Sequence, residues 1–182
     1  MLVIMKSMRA TDSGMILAID GRDRPGVAKS DLKTTRMPVR PPLIFIAPFV
    51  TGLALQHVCP LPYLPRWIGI LLGMLFAVPA IALYVAAQVA LYRARTTINP
   101  EGRPRALVVT GPFRRTRNPL YLALLLLYTG VALGTGALGS LALLPMVAVW
   151  LHYGTVRQEE CRLAQFFGEQ YTHYCRTTPR WL

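Results

Sequence analysis

Charged side chains are missing from three long stretches of the chain: Pro41–Pro65, Trp67–Tyr92 and Asn118–Val156. A helix that crosses a bilayer needs roughly 20 apolar residues, so the first two stretches each have room for one crossing. The third runs for 39 residues. As one helix it would be about 58 Å long at about 1.5 Å per residue, nearly twice the hydrocarbon thickness. It must fold back, and GTGALGS at 134–140 supplies the turn. The pattern predicts an all-α integral membrane protein with four transmembrane helices, at about 43–58, 67–92, 119–135 and 138–155.

The basic residues sort by side. Residues 1–40 hold eight Lys and Arg, 59–66 one, 93–117 seven, 134–140 none and 157–182 four. This alternation follows the positive-inside rule and places both termini and the 93–117 loop in the cytoplasm. The net charge of +12 over 182 residues therefore suits anionic headgroups. Nucleic acid is excluded as a partner, because no recognition motif accompanies the charge.

Residues 1–40 mix charges, Gly and Pro without periodicity and are expected to form a loosely ordered cytoplasmic arm, with 41–182 as the membrane domain. The apolar run MLVIM is too short for a signal peptide. Pro48, Pro79 and Pro145 fall inside predicted spans, where membrane helices tolerate them. CPLPYLPRW at 59–67 makes a tight turn with Tyr63 and Trp67 at interface depth. The loop RARTTINPEGRPRALVVTGPFRRTR is too long for a bare connector. Asn118 and Pro119 at its end have the chemistry of a helix N-cap and first position.

Beyond the last span, Leu163, Phe166 and Phe167 fall at helical spacing, and Tyr171 and Tyr174 continue the same face. A helix over about 156–175 is predicted, with Gly168 as a breaking or reorienting point. An amphipathic helix on the membrane surface would satisfy this pattern alone. Cys59, Cys161 and Cys175 show no metal or redox spacing and read as packing residues. His57, His152 and His173 are scattered, so no metal site is predicted and no obligate protein partner is evident.

The candidate chemistry lies in Glu159 and Glu160. They sit about one turn past an apolar span, where carboxylates serve no topological end and are costly unless paired. Arg157 shares their helix, and the arginine-rich loop shares their side of the membrane. A pocket made from both segments would carry both signs of charge and suit a zwitterionic small molecule.

GPFRRTRNPLYLALLLLYTG, followed by RQEECRLAQFFGEQYTHYCRTTPRWL, resembles the integral-membrane methyltransferases, a family that includes isoprenylcysteine carboxyl methyltransferases and phospholipid N-methyltransferases. The resemblance rests on Gly111, Pro112, Phe113, Arg117, Asn118, Pro119 and Tyr121, then on Glu159, Glu160, Leu163, Phe167, Gly168, Tyr171 and Tyr174. Thr97 and Pro100 match the family's lead-in, and the likeness spans about 67–182.

The resemblance implies S-adenosylmethionine bound at the cytoplasmic membrane face. Arg117, Asn118 and Tyr121 would line the cofactor pocket, with Gly111 and Pro112 shaping the loop over it. Glu159 and Glu160 would bind its ribose hydroxyls or amino group, and Arg157 would stand near the reacting centre or the cofactor carboxylate. Arg157 and Glu160 are the expected catalytic pair. The acceptor would be a lipid-borne or apolar molecule, either a carboxylate oriented by Arg157 or an amine deprotonated by Glu159 or Glu160. Asn118 stands where isoprenylcysteine enzymes typically carry His, which weakens the case for a prenylated-cysteine substrate. The non-enzymatic alternative is a small membrane scaffold or assembly subunit, which leaves the paired glutamates without a role.

Overall fold

Proline opens or precedes each of the first apolar helices, where its missing N–H costs nothing and its fixed φ suits the first turn. In the computed structural model, which describes residues 17–18, 41–58, 65–94 and 106–182, α1 spans Pro41–Val58 and α2 spans Arg66–Arg93. The expected N-terminal arm, apart from its two-residue strand, lies outside the described residues. So do the 59–64 turn with Cys59 and Tyr63, and the stretch 95–105 with Thr97 and Pro100. Helix α3 spans Pro119–Gly134. Leu17–Ala18 (β1) and Ala106–Leu107 (β2) pair antiparallel, Leu17 opposite Leu107.

The described chain is mostly helical. Among its helices α2 alone is long and apolar enough to cross a membrane by length and composition, with a mean hydropathy of 2.4. Its outer face is apolar and bare: Leu75 is 65% exposed and Val78 64%. The stretches 44–56 and 119–134 form shorter apolar helices.

The turn at 134–140 is present and tight. Helix α3 ends at Gly134, Gly136 takes φ 73°, and the Ala137 N–H reaches the Ala132 carbonyl at 2.7 Å. The following apolar stretch, expected as one regular helix, is instead built in pieces: α4 (Leu138–Ala142), α5 (Leu144–Trp150) and a π-helical turn (Leu151–Val156) that feeds α6 (Arg157–Phe167). Pro145 explains the first break, because it cannot donate to residue 141 and its ring crowds that carbonyl. A π-turn carries an extra residue per turn and so re-aims the helix beyond it. Here the Trp150 indole lies over Gly154, where an added Cβ would come within 3.0 Å of it.

Helices α2 and α3 touch backbone to backbone. Lipid-solvated helices associate through close packing of small residues, and the contact is made by Gly69, Gly73 and Ala77 against Gly130, Leu133 and Gly134. Helix α1 docks on α4 in the same way, Gly52 against Gly139 and Ser140. The Gln56 amide spans the turn, its Nε2 donating to the Gly136 carbonyl at 2.8 Å and its Oε1 accepting from the Gly139 N–H at 3.1 Å. The Tyr128 hydroxyl donates to the Ser140 carbonyl, and the Ser140 hydroxyl donates to that of Phe49, both at 2.8 Å.

Gly168, at φ 53° and ψ −124°, breaks the C-terminal helix into α6 and α7 (Glu169–Thr177). Only glycine holds that conformation easily. The bend folds the aromatic stripe inward: Phe167, Tyr171 and Tyr174 are buried with Leu107, and Leu163, Phe166, Cys175 and Val109 pack around them. The apolar face that a membrane-surface helix would present is instead packed against the chain's own Leu107 and Val109.

Replacement of Gly73 by Ala puts a Cβ at 2.8 Å from the Gly130 carbonyl oxygen and from the Gly134 Cα, both backbone atoms. It should destabilise the α2–α3 pair by about 1–3 kcal/mol. Gly134→Ala, whose Cβ meets nothing closer than 3.8 Å, should leave the thermal midpoint of the detergent-solubilised protein nearly unchanged.

Candidate active site

Residues 111–118 lead into α3 through a short 3₁₀ turn, Gly111–Arg114. Gly111 opens it at φ 62°, a backbone conformation other residues avoid. The Tyr174 hydroxyl donates to the Phe113 carbonyl at 2.6 Å and ties this turn to α7. Asn118 occupies the N-cap position of α3, but its side chain makes no capping bond. Its Nδ2 donates instead to the Arg180 carbonyl at 3.2 Å. Cap chemistry has yielded to a tertiary contact.

The two motif halves meet at Glu160. Arg117 Nη1 lies 3.0 Å from Glu160 Oε1, with side-chain exposures of 14% and 12%. Arg180 grips the same carboxylate with both prongs of its guanidinium, Nε to Oε1 at 3.0 Å and Nη2 to Oε2 at 2.6 Å. Such a fork is the strongest geometry an Arg–carboxylate pair adopts. Breaking a buried pair by removing one partner costs about 3–5 kcal/mol, because a charge is stranded. Arg117 Nη1 also donates to Cys175 Sγ at 2.9 Å, so Cys175 is part of this network and more than filler.

Glu159 is in the opposite situation. The residue is half-buried, and its Oε2 is sealed from solvent with no hydrogen-bond partner. Desolvation pushes its pKa above the ordinary carboxylate value of 4.5, partly offset by the Tyr121 hydroxyl and by Arg162, while Glu160 pushes it further up. Arg117 Nε is likewise buried without a partner. Each such orphan costs about 1–3 kcal/mol, so the site holds an unmet acceptor and an unmet donor within the predicted residues.

Glu159 also lines a cavity of about 580 Å³ walled by α1, α2 and α3, with Phe49, Tyr84, Tyr121 and Tyr128 among its aromatic residues and Gln88 as an amide. Among the described residues, Glu159 is the one ionisable acid or base on that wall apart from the tyrosines. The cavity's volume and lining are those of an apolar ligand site with a polar end.

The structure thus brings Arg117, Asn118, Tyr121, Glu159 and Glu160 into one neighbourhood. Gly111 and Pro112 stand apart from it. They line a second cavity of about 870 Å³ with Arg114, Arg115, Leu83, Leu122 and Leu182. Leu122 lies roughly half a turn around α3 from Leu120 and Leu124, which face the first cavity. Arg157, expected beside the reacting centre, is exposed at the start of α6 and forms no ion pair among the described residues. The cation missed from the sequence is Arg180. It lies in the TTPRWL tail at the end of the resembling stretch, but no periodicity or charge pairing there singles it out.

A family model described as phospholipid methyltransferase matches residues 68–170, from the start of α2 into α7. No curated protein matches the chain, and no solved structure does.

Because burial raises the Glu159 pKa, the folded state binds a proton there more tightly than the unfolded state. Stability then falls as pH rises through the window above 4.5. Glu159→Gln should raise the thermal midpoint of the ligand-free protein at neutral pH by a few degrees. The gain should shrink as pH is lowered to 4.5 and vanish below it, where the carboxyl is protonated in both states. Thermal melts across pH check the sign.

Proposed function

Because the chain belongs to the phospholipid methyltransferase family, we propose that it transfers a methyl group from S-adenosylmethionine to an apolar amine, at the cytoplasmic face of the membrane. The observation that carries this is Glu159: a carboxylate with one oxygen buried and unpartnered, lining an otherwise uncharged apolar cavity. A scaffold has no use for such a group.

The residues present fit the cofactor. Its carboxylate matches the unmet donor on Arg117. Its neutral ribose diol can share the Glu159 carboxylate and leave it anionic, and Tyr121 and Asn118 stand beside that carboxylate and Arg117. When bound, S-adenosylmethionine supplies a methyl carbon on a sulfonium that departs as a neutral thioether. The chain's own part is positioning and proton management. Cavity walls from α1 and α3 hold the acceptor's apolar body. Glu159, with its raised pKa, takes the proton that an ammonium must lose before its nitrogen can attack. A carboxylate acceptor would meet a like charge on Glu159 and no cation on the cavity wall. Glu160, expected from the sequence to share ligation and catalysis, already has both oxygens occupied by guanidinium groups. We assign it to holding the site together.

Four crossings complete the reading: α1, α2, α3, and the α4-to-π-turn segment, with both termini and the site in the cytoplasm. The alternation of basic residues along the chain supports it. The acceptor would enter the cavity sideways from the bilayer.

Transfer of labelled methyl from S-adenosylmethionine should appear with vesicles that contain a primary-amine phospholipid, and not with phosphatidylcholine vesicles carrying a fatty acid. Glu159→Gln should lower kcat/KM by about 10²–10⁴-fold, the usual worth of a general base. A base-labile methyl ester as sole product would overturn the amine assignment. Failure of the folded wild type to bind S-adenosylmethionine in calorimetry would overturn the cofactor.

A further inference from the structure

We infer that Arg180 is a positioning residue of the active site, and that the last residues of the chain form a clasp that sets the geometry of both motif halves. The role rests on the cofactor site proposed above. The family model matches residues 68–170, and the clasp follows directly after that stretch.

After α7 the chain turns at Thr178, which is buried, and runs back between the start of α3 and α6. Its backbone accepts three bonds from the α3 entry. The Arg117 N–H donates to the Pro179 carbonyl at 3.0 Å. The Thr116 hydroxyl and the Asn118 amide both donate to the Arg180 carbonyl, at 3.1 and 3.2 Å. On the other side, the Arg180 side chain forks onto Glu160 of α6 and places Nη1 3.1 Å from His152 Nε2 in the π-turn. The Trp181 indole N–H donates to His152 Nδ1 at 3.2 Å, with the two rings stacked at 6.2 Å.

One residue therefore holds a segment from each half of the site, its carbonyl on residues 116 and 118 and its guanidinium on 160. This has two chemical consequences. Glu160 is saturated, which leaves Glu159 as the carboxylate available to a ligand. Asn118 is drawn away from capping α3, which fixes its amide in place beside Arg117. Arg117 meets the same tail through its backbone N–H, so its unmet Nε is held at a set position.

The full-length protein in detergent tests this with Arg180→Gln, Arg180→Lys, Glu160→Gln and the Arg180→Gln/Glu160→Gln double variant. Calorimetric affinity for S-adenosylmethionine, kcat, KM and thermal midpoint are read for each. Arg180→Gln should weaken cofactor affinity by about tenfold to a hundredfold, as misplacement by an ångström does. KM for the cofactor should rise more than kcat falls. Arg180→Lys, which keeps the charge and loses the fork, should recover part of the affinity. The double variant should bind no worse than Glu160→Gln alone. Wild-type affinity and KM in a folded Arg180→Gln protein overturn the clasp, as do additive losses in the double variant. Should Arg180→Gln fail to fold, Arg180→Lys decides: a several-fold rise in KM with little change in kcat supports the role, and an unchanged KM overturns it. Absence of binding by the wild type is a different failure, since it removes the cofactor site and with it anything for Arg180 to position.

Discussion

A carboxylate that is only 12% exposed must be paired or protonated, and the pairing of Glu160 with Arg117 and Arg180 is the contact on which the site depends. It joins the entry to α3 with α6, elements more than forty residues apart in sequence. The desolvation cost of burying Glu160 and Arg117, with Arg180 34% exposed beside them, is repaid only if the geometry is good. Here Arg180 presents a fork, Arg117 adds a further donor, and Cys175 takes up a guanidinium N–H. The tail, α7 and the 3₁₀ turn are then not free to move independently. Each is tied to that centre by a bond to its backbone or an aromatic packed beside it.

A second constraint comes from the apolar helices. With little hydrophobic driving force between helices in lipid, close approach depends on surfaces without side chains. Gly69, Gly73, Gly130 and Gly134 supply that for α2 and α3, and Gly52 with Gly139 supplies it for α1 and α4. These seams lie toward the turn side of the bundle. Between α1, α2 and α3, Phe45, Phe49, Tyr84, Tyr121 and Tyr128 line a void instead. A cavity with Glu159 at its end is the geometric counterpart of tight glycine seams elsewhere in the same helices.

The contrast between the adjacent glutamates comes from helical geometry. Consecutive residues point about 100° apart, so Glu160 faces the tail and its arginines while Glu159 faces Tyr121 and the cavity. One becomes a structural anchor and the other an unmet acceptor with a raised pKa. Identical chemistry in neighbouring positions separates into two roles because the surroundings of an α-helix change completely within one residue.

Much was legible in the sequence because it depends on local or periodic signals. The charge-free blocks predict α1, α2 and α3 within a few residues, since a helix is the way an isolated apolar segment satisfies its own backbone in lipid. GTGALGS marks a turn because Gly136 needs a positive φ, and Gly168 marks the α6–α7 break for the same reason. That the arginine-rich loop and the glutamates share a pocket follows from their charges, but which arginine meets which glutamate does not. What only the tertiary structure decided are contacts between segments that carry no periodic signature. The Arg180 fork, the diversion of Asn118 from its cap, the π-turn before α6 and the exposure of Arg157 each depend on which surfaces come together. The 106–110 segment covering the aromatic stripe is of the same kind, because an amphipathic pattern records that a face will be buried and not what will bury it.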